Sequence, residues 1–196
     1  QLDPLCGRGW PEIASGQTQR VVDAIPQEQL DALPLGRLDF IGMNIYNSVM
    51  VRAGADGKPE FCPRVAGHPR TAIGWPVTPE SMEWGTRFIW ERYGLPIYIT
   101  ENGLSCTDSI HLDGKVHDPA RIDFIHRYLL SLRRAIDSGV DVRGYFHWSL
   151  LDNFEWSEGY NERFGLIYLD YATGKRTPKD SAAWYAKVAE TNGKDL

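Results

Sequence analysis

Ile97-Tyr98-Ile99-Thr100-Glu101-Asn102-Gly103 is the stretch of this 196-residue chain that says most about its fold. Residues 97–100 are apolar, β-branched and aromatic, which is typical of a buried parallel strand. Asn102 and Gly103 form a turn signal directly after it. The strand therefore ends in a carboxylate, Glu101, which is suited to covalent or acid–base chemistry. An ion pair between Glu101 and a neighbouring Arg is the other interpretation.

Two further strands are predicted, and each also ends in polar and aromatic residues. In the strand over residues 38–46, Asn44 and Tyr46 lie two positions apart and so on one face. The strand over 142–148 runs into residues 149–156, which are rich in Trp, Asp, Asn and Glu. Aromatic rings stack on sugar C–H faces, while carboxylates and amides bond to sugar hydroxyl groups. The composition indicates a sugar site, although packing in the core explains any single aromatic residue equally well.

Helices are predicted between these strands and after the last one. Thr78-Pro79 and Asp118-Pro119 are typical N-terminal capping sequences, and a final helix is predicted over 178–192. β-Hairpins are predicted over residues 48–65 and 164–176. The alternation of strand and helix favours a parallel sheet with right-handed crossovers, an α/β fold.

Composition excludes several classes of function. The net charge of −5 gives no electrostatic reason to expect nucleic acid or an anionic membrane as a partner. No apolar run approaches the roughly 20 residues that span a bilayer. Five scattered His residues lack metal-site spacing, so no metal is expected. Three scattered Cys residues and the absence of a basic-then-apolar segment at the start predict a reducing, cytoplasmic compartment.

Several motifs, in order along the chain, resemble those of family 1 glycoside hydrolases, the retaining β-glucosidases and their relatives. The matching stretches are Asp39–Tyr46, Ile99–Gly103, Phe146–Trp156, Arg163–Tyr171 and Lys179–Ser181. The resemblance extends from about residue 2 to residue 193. One departure is Asn44-Ile45-Tyr46, where the family has Asn-Tyr-Tyr, and the Tyr that matters by resemblance is kept.

The resemblance implies an α/β fold that is the C-terminal part of a (β/α)8 TIM barrel. Residues 1–196 would form a single partial domain: three parallel strands with helices, corresponding to strands six to eight of the barrel, plus hairpins. Three strands cannot close an eight-stranded barrel. Their inner face and edge strands would therefore be open and prone to association unless covered.

The resemblance also implies roles for individual residues. Glu101 would be the catalytic nucleophile, Tyr46 the hydroxyl that orients and tunes it, and Asn44 a neighbour of both. The substrate would be a small β-glycoside or oligosaccharide, and neither cofactor nor metal would be needed. Five side chains would contact the substrate: Trp148 as stacking platform, Glu155 and Trp156 at sugar hydroxyls, Phe164 at the pocket wall and Trp75 on the aglycone side.

The acid/base residue of the family is missing from this chain. The family carries it in a Thr-x-Asn-Glu-Pro motif, and the one Asn-Glu here, Asn161-Glu162, is followed by Arg163. Three hypotheses remain. The chain is part of a full-length β-glucosidase, seen as a fragment or as one half of a cleaved chain. Alternatively, it is a truncated half-barrel that self-associates and binds sugars with little or no turnover. Thirdly, it is a stand-alone hydrolase that uses another acid.

Overall fold

The computed structural model describes residues 2–9, 16–32 and 38–196. The α-helices are α1 Leu2–Leu5, α2 Gly16–Asp23, α3 Gln27–Ala32, α4 Glu80–Tyr93, α5 Pro119–Asp137 and α6 Asp180–Glu190. The strands are β1 Ile41–Asn44, β2 Val51–Ala53, β3 Pro59–Phe61, β4 Ile97–Asn102, β5 Val142–His147, β6 Ile167–Leu169 and β7 Arg176–Pro178. A 3-10 helix covers Trp156–Glu158.

The central sheet has three parallel strands in the order β1-β4-β5, with β4 in the middle. The chain passes through α4 between β1 and β4, and through α5 between β4 and β5. The antiparallel pairs β2–β3 and β6–β7 form the two predicted hairpins. The prediction of parallel strands with intervening helices and hairpins is therefore confirmed, and the arrangement is part of a barrel.

The hydrophobic core lies between one face of this sheet and the helices α4 and α5. Ile97 and Ile99 of β4 are fully buried there, together with Met82 of α4 and Ile125 of α5. On α5 the buried apolar residues recur at three- and four-residue spacing, which is the pattern of a helix with one face on a core. Burial of this face orients β4 so that its C-terminal end emerges beside that of β1.

The opposite face of the sheet is uncovered. Side chains alternate along a strand, so Tyr98 and Thr100 point away from the core that holds Ile97 and Ile99. The Tyr98 ring contacts Phe40 edge-on at 5.0 Å between centroids, and Phe40 is 53% exposed. In a complete (β/α)8 barrel such inward-facing side chains fill the interior. The open face is therefore the inside of the barrel.

α5 begins at Pro119 as predicted, α4 begins at Glu80, one residue after the predicted Pro79, and neither predicted side-chain cap forms. Thr78 Oγ1 instead accepts a hydrogen bond from the Ser48 amide at 2.9 Å, which ties α4 to the loop after β1. Asp118 accepts from the amide of Ser181 at 2.9 Å and from its hydroxyl at 2.6 Å. Asp118 also pairs with Arg121. Tertiary partners compete successfully with local capping at both positions.

A buried ionic network lies beneath the loops that follow β4 and β5. Lys179 Nζ is 2.5 Å from Asp108 and 2.8 Å from Asp152, and Arg121 is 2.7 Å from Asp108. Because each buried charge has a partner of opposite sign, the network offsets the cost of removing those charges from water. Its three carboxylates and three cations are those of Asp108, Asp118, Asp152, Arg121, Arg163 and Lys179.

Candidate active site

Glu101 and Tyr46 meet at the C-terminal ends of two neighbouring strands. The Tyr46 hydroxyl donates a hydrogen bond of 2.7 Å to Glu101 Oε2. The backbone supports this contact, since the Ile45 amide donates to the Glu101 carbonyl at 2.9 Å. The ladder between β1 and β4 is irregular here, with a register shift between Met43 and Asn44. Such irregularities change the direction of side chains at strand ends. Here the shift lies next to the contact between the Glu101 carboxylate and the Tyr46 hydroxyl.

Tyr46 is held in place from several sides. Its carbonyl accepts a hydrogen bond of 2.9 Å from the Tyr128 hydroxyl of α5. Its ring contacts Trp75 and Phe164 at 5.2 and 6.3 Å between centroids. Burial, followed by the hydrogen bond to Glu101, raises the pKa of Tyr46 well above its ordinary value. Its hydroxyl therefore stays protonated at neutral pH and continues to donate to Glu101.

Trp75 and Phe164 complete one wall of the site. Their rings lie 6.1 Å apart, and both face Tyr46. The Thr71 hydroxyl accepts a hydrogen bond of 3.1 Å from the Trp75 amide, which holds this part of the loop in place. Sequence reasoning left open whether Trp75 is a binding wall or a core residue. The structure places it beside the Tyr46–Glu101 pair, so it is positioned to serve as a wall.

Glu155 is the second carboxylate of the site, in the segment that follows β5. The Trp148 indole N–H lies 3.4 Å from Glu155 Oε2, so these two side chains face each other. Burial raises the pKa of Glu155, the Trp148 N–H opposes this by favouring the ionised form, and the nearby charge of Glu101 adds to the increase. The charge of Glu101 therefore acts on Glu155, and that of Glu155 acts on Tyr46, so the three side chains lie within electrostatic range of one another.

Asn44 and Trp156 contact none of the other predicted site residues through the side-chain hydrogen bonds and ring contacts of the described residues. Asn44 is opposite Glu101 in the ladder, but its side-chain oxygen accepts from the Thr100 hydroxyl at 2.7 Å. Trp156 is 80% exposed on the 3-10 turn. The remaining predicted residues form two groups, one around Tyr46 and one formed by Trp148 and Glu155.

Asn102 and Gly103 have a structural role that the sequence did not reveal. The buried Asn102 side chain donates to the Ile45 carbonyl at 2.7 Å and accepts from the Tyr145 hydroxyl at 2.8 Å. It thereby joins all three strand ends behind Glu101. A Cβ at Gly103 would lie 1.9 Å from the Trp148 carbonyl oxygen, so only glycine permits this approach. The available signal was an amide directly after a strand-end carboxylate, and it was interpreted only as a turn.

Among residues 2–9, 16–32 and 38–196, no cluster of three or more His, Cys, Asp or Glu side chains could hold a metal ion. In the same part of the chain, every helix is too short or too polar to cross a membrane. The candidate site consists of two carboxylates, a phenol, an indole N–H and aromatic side chains near the C-terminal ends of parallel strands.

The parallel strands with intervening helices form part of an α/β barrel, and comparisons with known proteins identify the family. The family model "Glycosyl hydrolase family 1" matches residues 2–194. The chain belongs to glycosyl hydrolase family 1.

Individual relatives support the same assignment. Beta-glucosidase A of Thermotoga maritima is 44% identical over 193 residues, which are 98% of this chain and 43% of the relative. A bifunctional beta-D-glucosidase/beta-D-fucosidase of Bifidobacterium breve is 35% identical over 206 residues, covering 95% of this chain and 45% of that protein. This chain therefore spans less than half the length of these relatives.

A solved structure of the Thermotoga maritima beta-glucosidase in complex with glucoimidazole superposes with a TM-score of 0.83 and 39% sequence identity. The match covers 98% of this chain and 43% of that structure. It corresponds to the C-terminal part of the relative, as the motif order predicted.

Proposed function

We propose that this chain provides the nucleophile side of a retaining β-glucosidase, which hydrolyses β-O-glycosidic bonds and releases terminal β-D-glucose. The observation that carries the proposal is the 2.7 Å hydrogen bond from the Tyr46 hydroxyl to Glu101 Oε2, at the C-terminal ends of adjacent parallel strands. Active sites of such barrels lie at this end. A carboxylate that is held by a hydrogen-bond donor at a strand end is suited to nucleophilic attack.

In the proposed reaction, a Glu101 carboxylate oxygen attacks the anomeric carbon of the bound sugar. The bond from that carbon to the aglycone oxygen breaks, and a second carboxyl group protonates the departing oxygen. Water, deprotonated by the same second group, then attacks the anomeric carbon and releases Glu101. Retaining enzymes place the two carboxyl groups about 5–5.5 Å apart. The second group would come from the part of the barrel that this chain does not contain.

The other site residues would hold the sugar during this attack. Trp148 would offer an aromatic face, and Glu155 would accept hydrogen bonds from sugar hydroxyl groups. Phe164 would form the wall beside Tyr46, while Trp75 would contact the aglycone. Trp156 would contact sugar hydroxyls from its position on the turn after Glu155. The chain's own residues thus bind and orient the glycone, with Asn44 beside the nucleophile strand end.

The partner in this proposal is the N-terminal half-barrel, and residues 1–196 act as one partial domain. In the described residues, β1 and β5 are the edge strands of the sheet, with unpaired backbone groups on their outer sides. The exposed rings of Trp84 and Phe88 on α4 form an apolar surface of the kind that contacts another part of a protein. Two copies of a three-stranded sheet would give six strands, which does not match an eight-stranded barrel. The relatives are named as glucosidases, so their names give no support to the alternative of a self-associating half-barrel that only binds sugars. The three cysteines are unpaired, which fits the proposed cytoplasmic location.

Leaving-group dependence tests the proposal that the acid is absent. An activated dinitrophenyl β-glucoside needs no protonation to leave, so we expect it to glycosylate Glu101 of this chain without its partner. An alkyl β-glucoside needs an acid and should be hydrolysed only after the N-terminal half-barrel is added. Mass spectrometry would detect the glycosyl adduct, and glucose release would measure turnover. Equal hydrolysis of the alkyl glucoside with and without the half-barrel would refute the missing-acid proposal.

A Tyr46→Phe substitution tests the orienting role of the hydroxyl. It removes a hydrogen bond to a charged group, which contributes about 1.5–3 kcal/mol. We therefore expect glycosylation by an aryl β-glucoside to slow by roughly tenfold to a hundredfold, since 1.4 kcal/mol corresponds to about tenfold. Tyr93→Phe is the matched control, because the Tyr93 hydroxyl donates to a carboxylate, Asp3, outside the site. If Tyr46→Phe and Tyr93→Phe are glycosylated at similar rates, the Tyr46 hydroxyl does not orient the nucleophile.

A further inference from the structure

Asp152 lies three residues before Glu155 and has four hydrogen-bond donors around its carboxylate. Its Oδ1 accepts from Lys179 Nζ at 2.8 Å and from the Gly165 amide at 3.0 Å. Its Oδ2 accepts from Arg163 Nη1 at 2.6 Å and from the Leu169 amide at 3.4 Å. The residue is 1% exposed. All four donors come from the chain segment after Glu155, so Asp152 connects the two sides of the Glu155 loop.

The backbone around Asp152 is packed against the same segment. The Asp152 amide donates to the Ile167 carbonyl at 3.0 Å, and the Ser149 amide donates to the Phe164 carbonyl at 3.2 Å. A Cβ at Gly165 would lie 2.2 Å from the Asp152 nitrogen, so only glycine allows the two strands of the loop to approach this closely. The loop that carries Glu155 and the residue next to Phe164 are thus held together at Asp152.

The cations that face Asp152 are themselves fixed. Lys179 also contacts Asp108 at 2.5 Å and is completely buried. The Arg163 guanidinium stacks on the rings of Tyr168 and Tyr171, at 4.0 and 4.8 Å from their centroids. Charge-assisted hydrogen bonds to partners that cannot move fix a carboxylate more firmly than bonds to flexible surface groups. Asp152 is therefore a rigid point within the buried ionic network.

We propose that Asp152 is a positioning residue for the sugar pocket. It fixes the loop so that Glu155 faces Trp148 while Phe164 faces Tyr46, and it thereby sets affinity for the sugar without touching it. The proposal deepens the proposed function and rests on it. Binding depends on contacts from Glu155 to sugar hydroxyl groups and on the pocket wall at Phe164. Removing the Asp152 carboxylate, which links these two segments, displaces both side chains.

The test is Asp152→Asn in this chain assembled with the N-terminal half-barrel. Asn has nearly the same shape, but it leaves Lys179 or Arg163 facing a neutral group, and its NH2 cannot accept a hydrogen bond. The probes are an aryl β-glucoside for KM and kcat, and D-glucose as a competitive inhibitor. We expect KM and the inhibition constant of glucose to rise together, on the order of tenfold to a hundredfold, with a smaller change in kcat per titrated active site.

Asp118→Asn is the matched control. Asp118 is a buried carboxylate of the same network, but it binds Arg121 and Ser181 at the starts of α5 and α6. A purely structural role predicts that both variants lose stability and that neither changes KM or the glucose inhibition constant per active molecule. The positioning role predicts that only Asp152→Asn changes them. Equal behaviour of the two variants would overturn the proposal.

Arg163→Lys provides a second variant if Asp152→Asn does not fold. It keeps the positive charge but loses the stacking on Tyr168 and Tyr171 that fixes the partner of Asp152. The same rise in KM and in the inhibition constant is expected, at smaller size, and unchanged constants would refute the proposal. If the assembled wild-type protein hydrolyses no β-glucoside, the proposed function fails and this proposal fails with it. An active wild type with unaffected variants refutes the positioning role alone.

Discussion

Replacing Glu101 by Gln is expected to abolish formation of the glycosyl-enzyme. The amide has the shape of the carboxylate but lacks its nucleophilic charge, so the anomeric carbon has no attacking group. Removing a catalytic nucleophile typically costs several powers of ten in rate, on the order of a millionfold in a well-studied hydrolase. Mass spectrometry after incubation with a dinitrophenyl 2-deoxy-2-fluoro-β-glucoside should show the hexosyl adduct on the wild-type protein and none on Glu101→Gln.

The control for this experiment is Glu190→Gln at the exposed end of α6. It makes the same chemical change far along the chain from the strand ends, so the adduct should form at the wild-type rate. An adduct on Glu101→Gln at the wild-type rate would contradict the assignment of the nucleophile. An adduct on the wild type that maps to Glu155 would contradict it as well, because Glu155 is the other carboxylate of the candidate site.

The parts of the fold that follow from local patterns were predictable from the sequence. The strand predicted from the apolar run 97–100 is confirmed as β4, which continues through Glu101 to Asn102. Helix boundaries at Pro79 and Pro119 were also predicted closely, since proline marks a first turn. These signals are local because strand alternation, helix periodicity and proline geometry depend on neighbouring residues.

Long-range pairing was not predictable in the same way. The sequence indicated Thr78 and Asp118 as capping residues, yet both side chains bind partners more than 25 residues away along the chain. Charged residues are usually exposed, so nothing in the sequence marked Arg121 or Lys179 as fully buried. At the site, the Tyr46–Glu101 contact joins residues 55 positions apart, and only the family resemblance indicated it.

The largest effect on stability is expected for Arg121→Met. The Arg121 side chain is completely buried, pairs with Asp118, and contacts Asp108 at 2.7 Å. It also donates to the Arg163 carbonyl at 2.8 Å. Methionine fills similar space but removes a cation from the buried carboxylates of Asp108 and Asp118. It also removes a hydrogen-bond donor from the Arg163 carbonyl. Removing one member of a buried ion pair costs about 3–5 kcal/mol, a large part of the stability of a typical domain.

Arg127→Met on the same helix separates this effect from a general loss of charge. Arg127 contacts Asp123 at 2.7 Å, but both side chains are 61% exposed, so the substitution should leave the unfolding midpoint nearly unchanged. Urea unfolding of the wild type and both variants, assembled with the half-barrel, would give the two differences. Equal shifts of the unfolding midpoint would show that the buried network is dispensable for stability. A large shift for Arg121→Met alone would show that the loops carrying the site depend on charges that lie beneath them.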